Sequence, residues 1–332
     1  MLGSSVGTLC TDYDLAMLDL DGVVYVGGAA VPGAPDHLAA ARESGMRLAF
    51  VTNNASRTPR RVAEHLRELG VPATEHDVVT SAQAAARALV ERLGAGARVA
   101  VLGAPALADA VADQGLQPVA ADEDAAALVS GYGPDVLWRD VMRAAVRVRE
   151  GLWWVASNAD LTIPTAYGVA PGHGVLVDTL RRFTGVEPVV AGKPQRPLLD
   201  ETRRRLDGKR PLMVGDRLDT DIEGARNADV DSLLVLTGVT GLGELVIAQR
   251  DQRPTYVAPD LAGLAEVHEA PVERDGAFAL AGWRAQVAGG RLEVAGSGPV
   301  EAWWRVVAQA AWHYLDDAGK PVEVAGLVAP TR

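Results

Sequence analysis

Two carboxylates one residue apart, Asp19 and Asp21, follow directly on an apolar run at residues 15–18 and precede Gly22. In open parallel sheets, ligands collect at the carboxyl ends of the strands, so their position makes this pair a candidate for chemistry. Composition does not: the chain carries 43 acidic residues, and an isolated Asp-x-Asp usually reads as paired turn carboxylates. A second apolar run ends in Thr52-Asn53-Asn54, where a hydroxyl and exposed backbone N–H groups can hold phosphate oxygens without adding charge. In Gly192-Lys193-Pro194, a lysine in a tight turn can neutralise a phosphoryl group as a point charge, although most lysines simply face solvent. A fourth run enters Gly215-Asp216-Arg217-Leu218-Asp219-Thr220-Asp221. Mg2+ favours a few carboxylates together with phosphate and water. Asp216 is the natural ligand for it, Asp221 can support the lysine or a metal-bound water, and Asp219 suits solvent or a helix cap.

Residues so far apart in the chain need a scaffold that brings strand ends together. Short apolar runs at 15–20, 48–52, 212–214 and 233–236 alternate with helical periodicity, as at 36–44 and 59–69. That alternation builds a parallel sheet covered by helices. Thr58 and Pro59 supply an N-cap and a proline at the first helical position. A second alternating unit, with strands expected at 98–102, 126–130 and 153–157, lies between the threonine and lysine motifs, and the glycine-rich stretch 167–174 reads as a loop near its exit. Beyond about residue 269 the pattern changes to a hairpin (277–287 and 291–294), a helix (300–317) and a last strand (321–328). The fold class is therefore α/β: a Rossmann-like parallel-sheet core at 1–81 and 187–268, an inserted α/β cap at 82–186, and a small α+β C-terminal appendage at 269–332.

The formal net charge of -11 argues against a nucleic-acid partner, because phosphate-neutralising surfaces are basic. One cysteine, Cys10, permits no internal disulfide and fits a reducing compartment. The N-terminus has no signal-peptide pattern and no apolar run is long enough to span a bilayer, so the expectation is a cytoplasmic protein with no membrane partner.

In this order and each at a strand end, the four motifs resemble the haloacid dehalogenase superfamily of phosphatases over roughly residues 12–265. The insertion, with Asn158-Ala159-Asp160 and Pro171-Gly172, is similar to the large α/β cap of the para-nitrophenylphosphatase-like branch, which includes phosphoglycolate and glycerol 3-phosphate phosphatases. The resemblance implies that Asp19 attacks phosphorus, while Asp21 protonates the leaving oxygen and then activates water. It also implies Mg2+ bound by Asp19, the Asp21 carbonyl and Asp216, and phosphoryl oxygens held by Thr52, the Asn53 amide and Lys193. Within the superfamily it resembles, dehalogenases need no general acid at that position and phosphonatases typically carry a non-acidic residue there, so Asp21 disfavours both.

Within the cap, the specificity loop is expected near 160–164, with Asp160 and Ile163 as candidates for selecting the leaving group, although a packing role suits Ile163 equally. His173 replaces the small residue usual in the branch and reads as loop decoration. The expected partner is a small phosphate monoester, glycerol 3-phosphate or phosphoglycolate, and a homo-oligomer through the cap or the tail stays open. Trp304, Ala308, Trp312 and Leu315 recur at helical spacing, which favours packing or assembly. The alternative is a catalytically idle phosphate-binding regulatory protein with the tail as its interaction module.

Overall fold

The structure is a computed structural model that describes residues 1–165 and 168–330. It divides into two compact units: one of residues 1–48, 69–71 and 208 onward, the other of residues 49–68 and 72–207.

In the first unit the strands Leu15–Leu18, Pro211–Gly215, Asp231–Val235 and Tyr256–Ala258 lie side by side and parallel. Leu15–Leu18 is buried throughout, as a parallel strand covered on both faces must be. Leu18 pairs with Val214, so Asp19 and Asp216 leave the sheet on neighbouring strands at the same end. The expected strand at 15–20 therefore closes two residues early, and Asp19 sits just past its end with its N–H still donating to Val214 O at 2.9 Å. The strand Arg47–Thr52 starts in this unit, where Arg47 N–H donates to Asp14 O at 3.1 Å, and continues into the other.

The tail belongs to the same unit. The strands Val272–Arg274, Ala277–Leu280, Trp283–Ala288 and Arg291–Gly296 form an antiparallel sheet, and the helix Val300–Ala318 packs on it. Val306, Val307 and Trp303 face that sheet's Phe278, Ala285 and Leu292, whereas Ala308 and Trp312 join a second cluster with Leu234, Leu245 and Val257. One helix thus seals two apolar surfaces, which explains its burial on nearly all sides, and the tryptophan stripe serves packing. Trp312 Nε1 donates to Leu245 O at 2.7 Å, and the guanidinium of Arg253 grips Asp316. The strand expected at 321–328 does not form. Glu323 makes only an isolated bridge to Arg291, Pro321 can donate no ladder bond, and the chain turns away after it.

In the second unit the strands Val189–Val190, Trp153–Ala156, Ala127–Ser130, Arg98–Leu102 and Gln117–Val119 form, in that order, a parallel sheet. The helices Trp138–Arg149 and His173–Thr184 pack against it around Trp154. The helix Pro59–Glu68 begins as expected, with Thr58 Oγ1 accepting from Arg61 N–H at 3.3 Å. The expected loop at 167–174 is largely ordered secondary structure. Thr162–Thr165 and Gly168–Pro171 pair as an antiparallel hairpin, and a helix starts at His173; Tyr167 lies outside the described residues. No helix among the described residues is long and apolar enough to cross a membrane.

Candidate active site

At the strand ends of the first unit, carboxylate oxygens of Asp19, Asp216 and Asp221 come within 4.8 Å of one another. Asp19 is half-buried and the other two are fully buried. Three carboxylates in such proximity repel one another unless a cation compensates them, and hard oxygen donors suit a divalent cation such as Mg2+. The donor set therefore fits the ion.

The glycine turns packed against Asp216 were not anticipated from the sequence. Its Oδ2 accepts from Val239 N–H at 2.7 Å, and a Cβ at either Gly22 or Gly238 would collide with that oxygen. Gly22 holds a φ of +86°, a conformation that favours glycine. The hydroxyl of Thr237 donates to Gly22 O, tying the two glycine turns together. The available signal was Thr237-Gly238-Val239, a glycine turn just past another apolar strand. Asp221 Oδ2 accepts from the backbone N–H groups of Asp216 (3.2 Å) and Arg217 (3.1 Å), so Asp221 shapes the loop that carries Asp216. Asp21 is exposed, and its carboxylate stands outside the three-residue group. Asp219 caps no helix; it pairs with Arg217 at 2.8 Å on the surface.

In the second unit the strand Arg47–Thr52 pairs with Val78–Thr80, placing Thr52 opposite Thr80. Thr52 Oγ1 accepts from Asn54 N–H at 3.1 Å. Lys193 is 2% exposed, unlike the solvated lysine that its type alone suggests. Asn53 organises the group. Its side-chain oxygen accepts from Lys193 N–H at 2.8 Å, and its amide donates to Lys193 O at 2.9 Å and to Asp160 Oδ1 at 3.0 Å. Its own carbonyl accepts from Ser81 Oγ at 2.6 Å and from Asn158 Nδ2 at 2.7 Å. Thus Asn53, Asp160 and Lys193 come together in this unit, with Thr52 adjoining Asn53 in the chain. Ile163 is half-buried in the hairpin strand Thr162–Thr165 and is not part of this hydrogen-bonded group.

His173, read from the sequence as loop decoration, is buried. Nδ1 meets Asn158 O at 2.8 Å and Nε2 meets Ser130 Oγ at 3.1 Å. Burial pushes its pKa down to about 4, so the ring is neutral near pH 7.

A haloacid dehalogenase-like hydrolase model matches residues 16–117, and a second HAD-type hydrolase model matches residues 190–264. D-glycerol 3-phosphate phosphatase of Mycobacterium tuberculosis is 43% identical over 318 residues, which are 92% of this chain and 87% of the relative. Glycerol phosphate phosphatase of the same organism, crystallised in complex with magnesium, superimposes with a TM-score of 0.86 at 42% identity, covering 96% of this chain and 94% of that one. A 4-nitrophenylphosphatase from Thermotoga maritima gives a TM-score of 0.72 at 29% identity over 77% of this chain and 98% of its own. The chain belongs to the haloacid dehalogenase-like hydrolase family, in its para-nitrophenylphosphatase-like branch. It is a phosphatase of the phosphoric monoester hydrolase class.

Proposed function

We propose that the chain is a Mg2+-dependent phosphatase of a small phosphate monoester, with glycerol 3-phosphate ahead of phosphoglycolate, acting through a phosphorylated Asp19. The observation that carries the reading is the carboxylate group Asp19, Asp216 and Asp221 at the ends of adjacent parallel strands. The similarity to D-glycerol 3-phosphate phosphatase over 92% of the chain supports the substrate.

In this reading Asp19 attacks phosphorus while the exposed Asp21 protonates the departing alkoxide. Asp21 then takes a proton from the water that cleaves the acyl phosphate. Thr52, the Asn53 backbone amide and Lys193 hold the phosphoryl oxygens, which is most of what phosphoryl transfer asks of a protein. Asp19, Asp216 and the Asp21 carbonyl would hold Mg2+, with Asp221 fixing the Asp216 loop. When bound, the ion neutralises negative charge on the phosphoryl group. Asp160 and Ile163 are the candidates for leaving-group selection. Asp160 is already tied to Asn53, which supports it more directly than Ile163. We also read the domains as a core at 1–81 and 187–268, a cap at 82–186 and an appendage at 269–332.

The test is phosphate release from glycerol 3-phosphate, phosphoglycolate and larger monoesters, with and without Mg2+, for the wild type and Asp19→Asn. Release that requires Mg2+ and Asp19 is expected. Metal-independent release, or activity retained by Asp19→Asn, would reject the mechanism.

A further inference from the structure

We propose that the turn Gly172-His173-Gly174 is a positioning element for the proposed phosphoryl-binding pair Asn53 and Lys193, with His173 as its polar anchor. The inference rests on the phosphatase reading above.

The direction of every hydrogen bond around His173 follows from chemistry. Asn158 O can only accept, so Nδ1 carries the proton and Nε2 offers a lone pair. Trp154 Nε1 can only donate, and it gives its N–H to Ser130 Oγ at 2.8 Å. Ser130 keeps its own proton for His173 Nε2. Both ring nitrogens are therefore satisfied, and the neutral state favoured by burial holds this tautomer at physiological pH.

The flanking glycines complete the clasp. Gly174 N–H donates to Asp160 O at 2.8 Å and Gly172 N–H donates to Leu161 O at 2.8 Å. A Cβ at Gly172 would collide with Asp160 O, and one at Gly174 with Ala159 O. Backbone thus lies directly on backbone: His173 holds the segment Asn158-Ala159-Asp160 at Asn158 O and the Gly174 amide holds it at Asp160 O, while the Gly172 amide fixes the next residue, Leu161. That segment supplies two of the contacts that orient Asn53: Asn158 Nδ2 to its carbonyl and Asp160 Oδ1 to its amide. Asn53 in turn grips both backbone polar groups of Lys193. A continuous polar chain therefore runs from Trp154 in the sheet to Lys193 within one unit, with His173 as the link that the side chain of residue 173 controls.

The experiment is steady-state phosphate release by the full-length chain at saturating Mg2+. The variants are His173→Ala, His173→Gln, Asn53→Ala, Lys193→Ala and the double variant His173→Ala/Asn53→Ala. His173→Ala should lower kcat by ~10- to 100-fold, the cost of displacing a functional group by about 1 Å. Gln, whose amide offers both an N–H donor and a carbonyl acceptor, should recover most of that loss. Because His173 acts through Asn53, the double variant should be no slower than Asn53→Ala. His173→Phe, similar in volume and without polar atoms, carries the test if His173→Ala melts below the assay temperature. Losses that multiply in the double variant, or a kcat within about twofold of wild type when the ring nitrogens are removed, would overturn the inference. A wild type that releases no phosphate, or Lys193→Ala with full activity, would sink the phosphatase reading and this inference with it. An active, Lys193-dependent enzyme indifferent to residue 173 would sink the inference alone.

Discussion

Gly238→Ala is the sharpest single probe of the carboxylate group, because the glycine touches Asp216 through its missing side chain. Its φ is not in the left-handed region, so alanine costs nothing in backbone conformation there. The new methyl carbon would lie 2.6 Å from Asp216 Cγ and 2.8 Å from Gly22 Cα, and nearer still to Asp216 Oδ2. Neither neighbour can swing aside: Gly22 offers backbone, and Asp216 is fully buried with Oδ2 held by Val239 N–H at 2.7 Å. Restoring ordinary contact requires a shift of about 1 Å, which forfeits that charge-assisted bond at ~1.5–3 kcal/mol. For a unit of this size the melting temperature should fall by about 2–4 °C per kcal/mol. A displacement of about 1 Å also costs on the order of 100-fold in rate, with a rise in the Mg2+ concentration needed for half-maximal activity. Phosphate release against Mg2+ concentration, with thermal melts of both proteins, reads all three quantities. A Gly238→Ala enzyme with wild-type Mg2+ dependence and rate would refute the assignment of Asp216 as a ligand.

Further outcomes follow from the same geometry. Asp21→Asn should lower kcat by ~10²- to 10⁴-fold, the usual worth of a general acid, yet leave the half-saturating Mg2+ concentration unchanged, because its carboxylate stands outside the metal group; a large change in that concentration would contradict this. Trp312→Ala, which empties a site 1% exposed, should cost about 3–5 kcal/mol in urea unfolding. Asp316→Asn, which weakens the pair with the buried Arg253 side chain and with exposed Arg250, should cost about 1.5–3 kcal/mol, less than Trp312→Ala; the reverse ranking would show that the tail is held mainly by charge. Burial lowers the pKa values of His173 and His268 to about 4, with the Arg305 charge adding to the effect on His268. The folded values lie below the ordinary value of about 6.5, so the unfolded chain takes up protons first. Stability is full above about pH 6.5 and falls as pH drops toward 4, by on the order of 3 kcal/mol per histidine. The difference in melting temperature between wild type and His173→Gln should therefore shrink through that window; a constant difference would contradict the buried neutral state of His173.

The chain displays its carboxylates openly and hides what orients them. Asp19 and Asp216 are legible because each follows directly on an uninterrupted apolar strand, and the strand pairing Leu18 to Val214 is what such runs produce in a parallel sheet. The roles of Gly22 and Gly238 depend on a packing distance to a residue about 200 positions away or on the next strand, which no local pattern encodes. Asn53 suggested a backbone amide for phosphate, whereas its side chain proves to hold Lys193, 140 residues further on. His173 was misread because Pro-Gly-His-Gly carries the composition of a turn; here the glycines serve close backbone contact and the imidazole is buried between them. The hairpin Thr162–Thr165 with Gly168–Pro171 escaped notice because its strands are short and one contains Pro164. The tail's last strand was expected from its apolar residues, but Val322 finds burial against the helix Val300–Ala318 without a ladder.

The most direct measurement is acid quenching of the enzyme during turnover of glycerol 3-phosphate carrying radiolabelled phosphate, followed by peptide mapping. Label on the peptide that contains Asp19, released by hydroxylamine and missing from Asp19→Asn, is the predicted result. Turnover with no labelled protein at any time, or label on a peptide without Asp19, would contradict it.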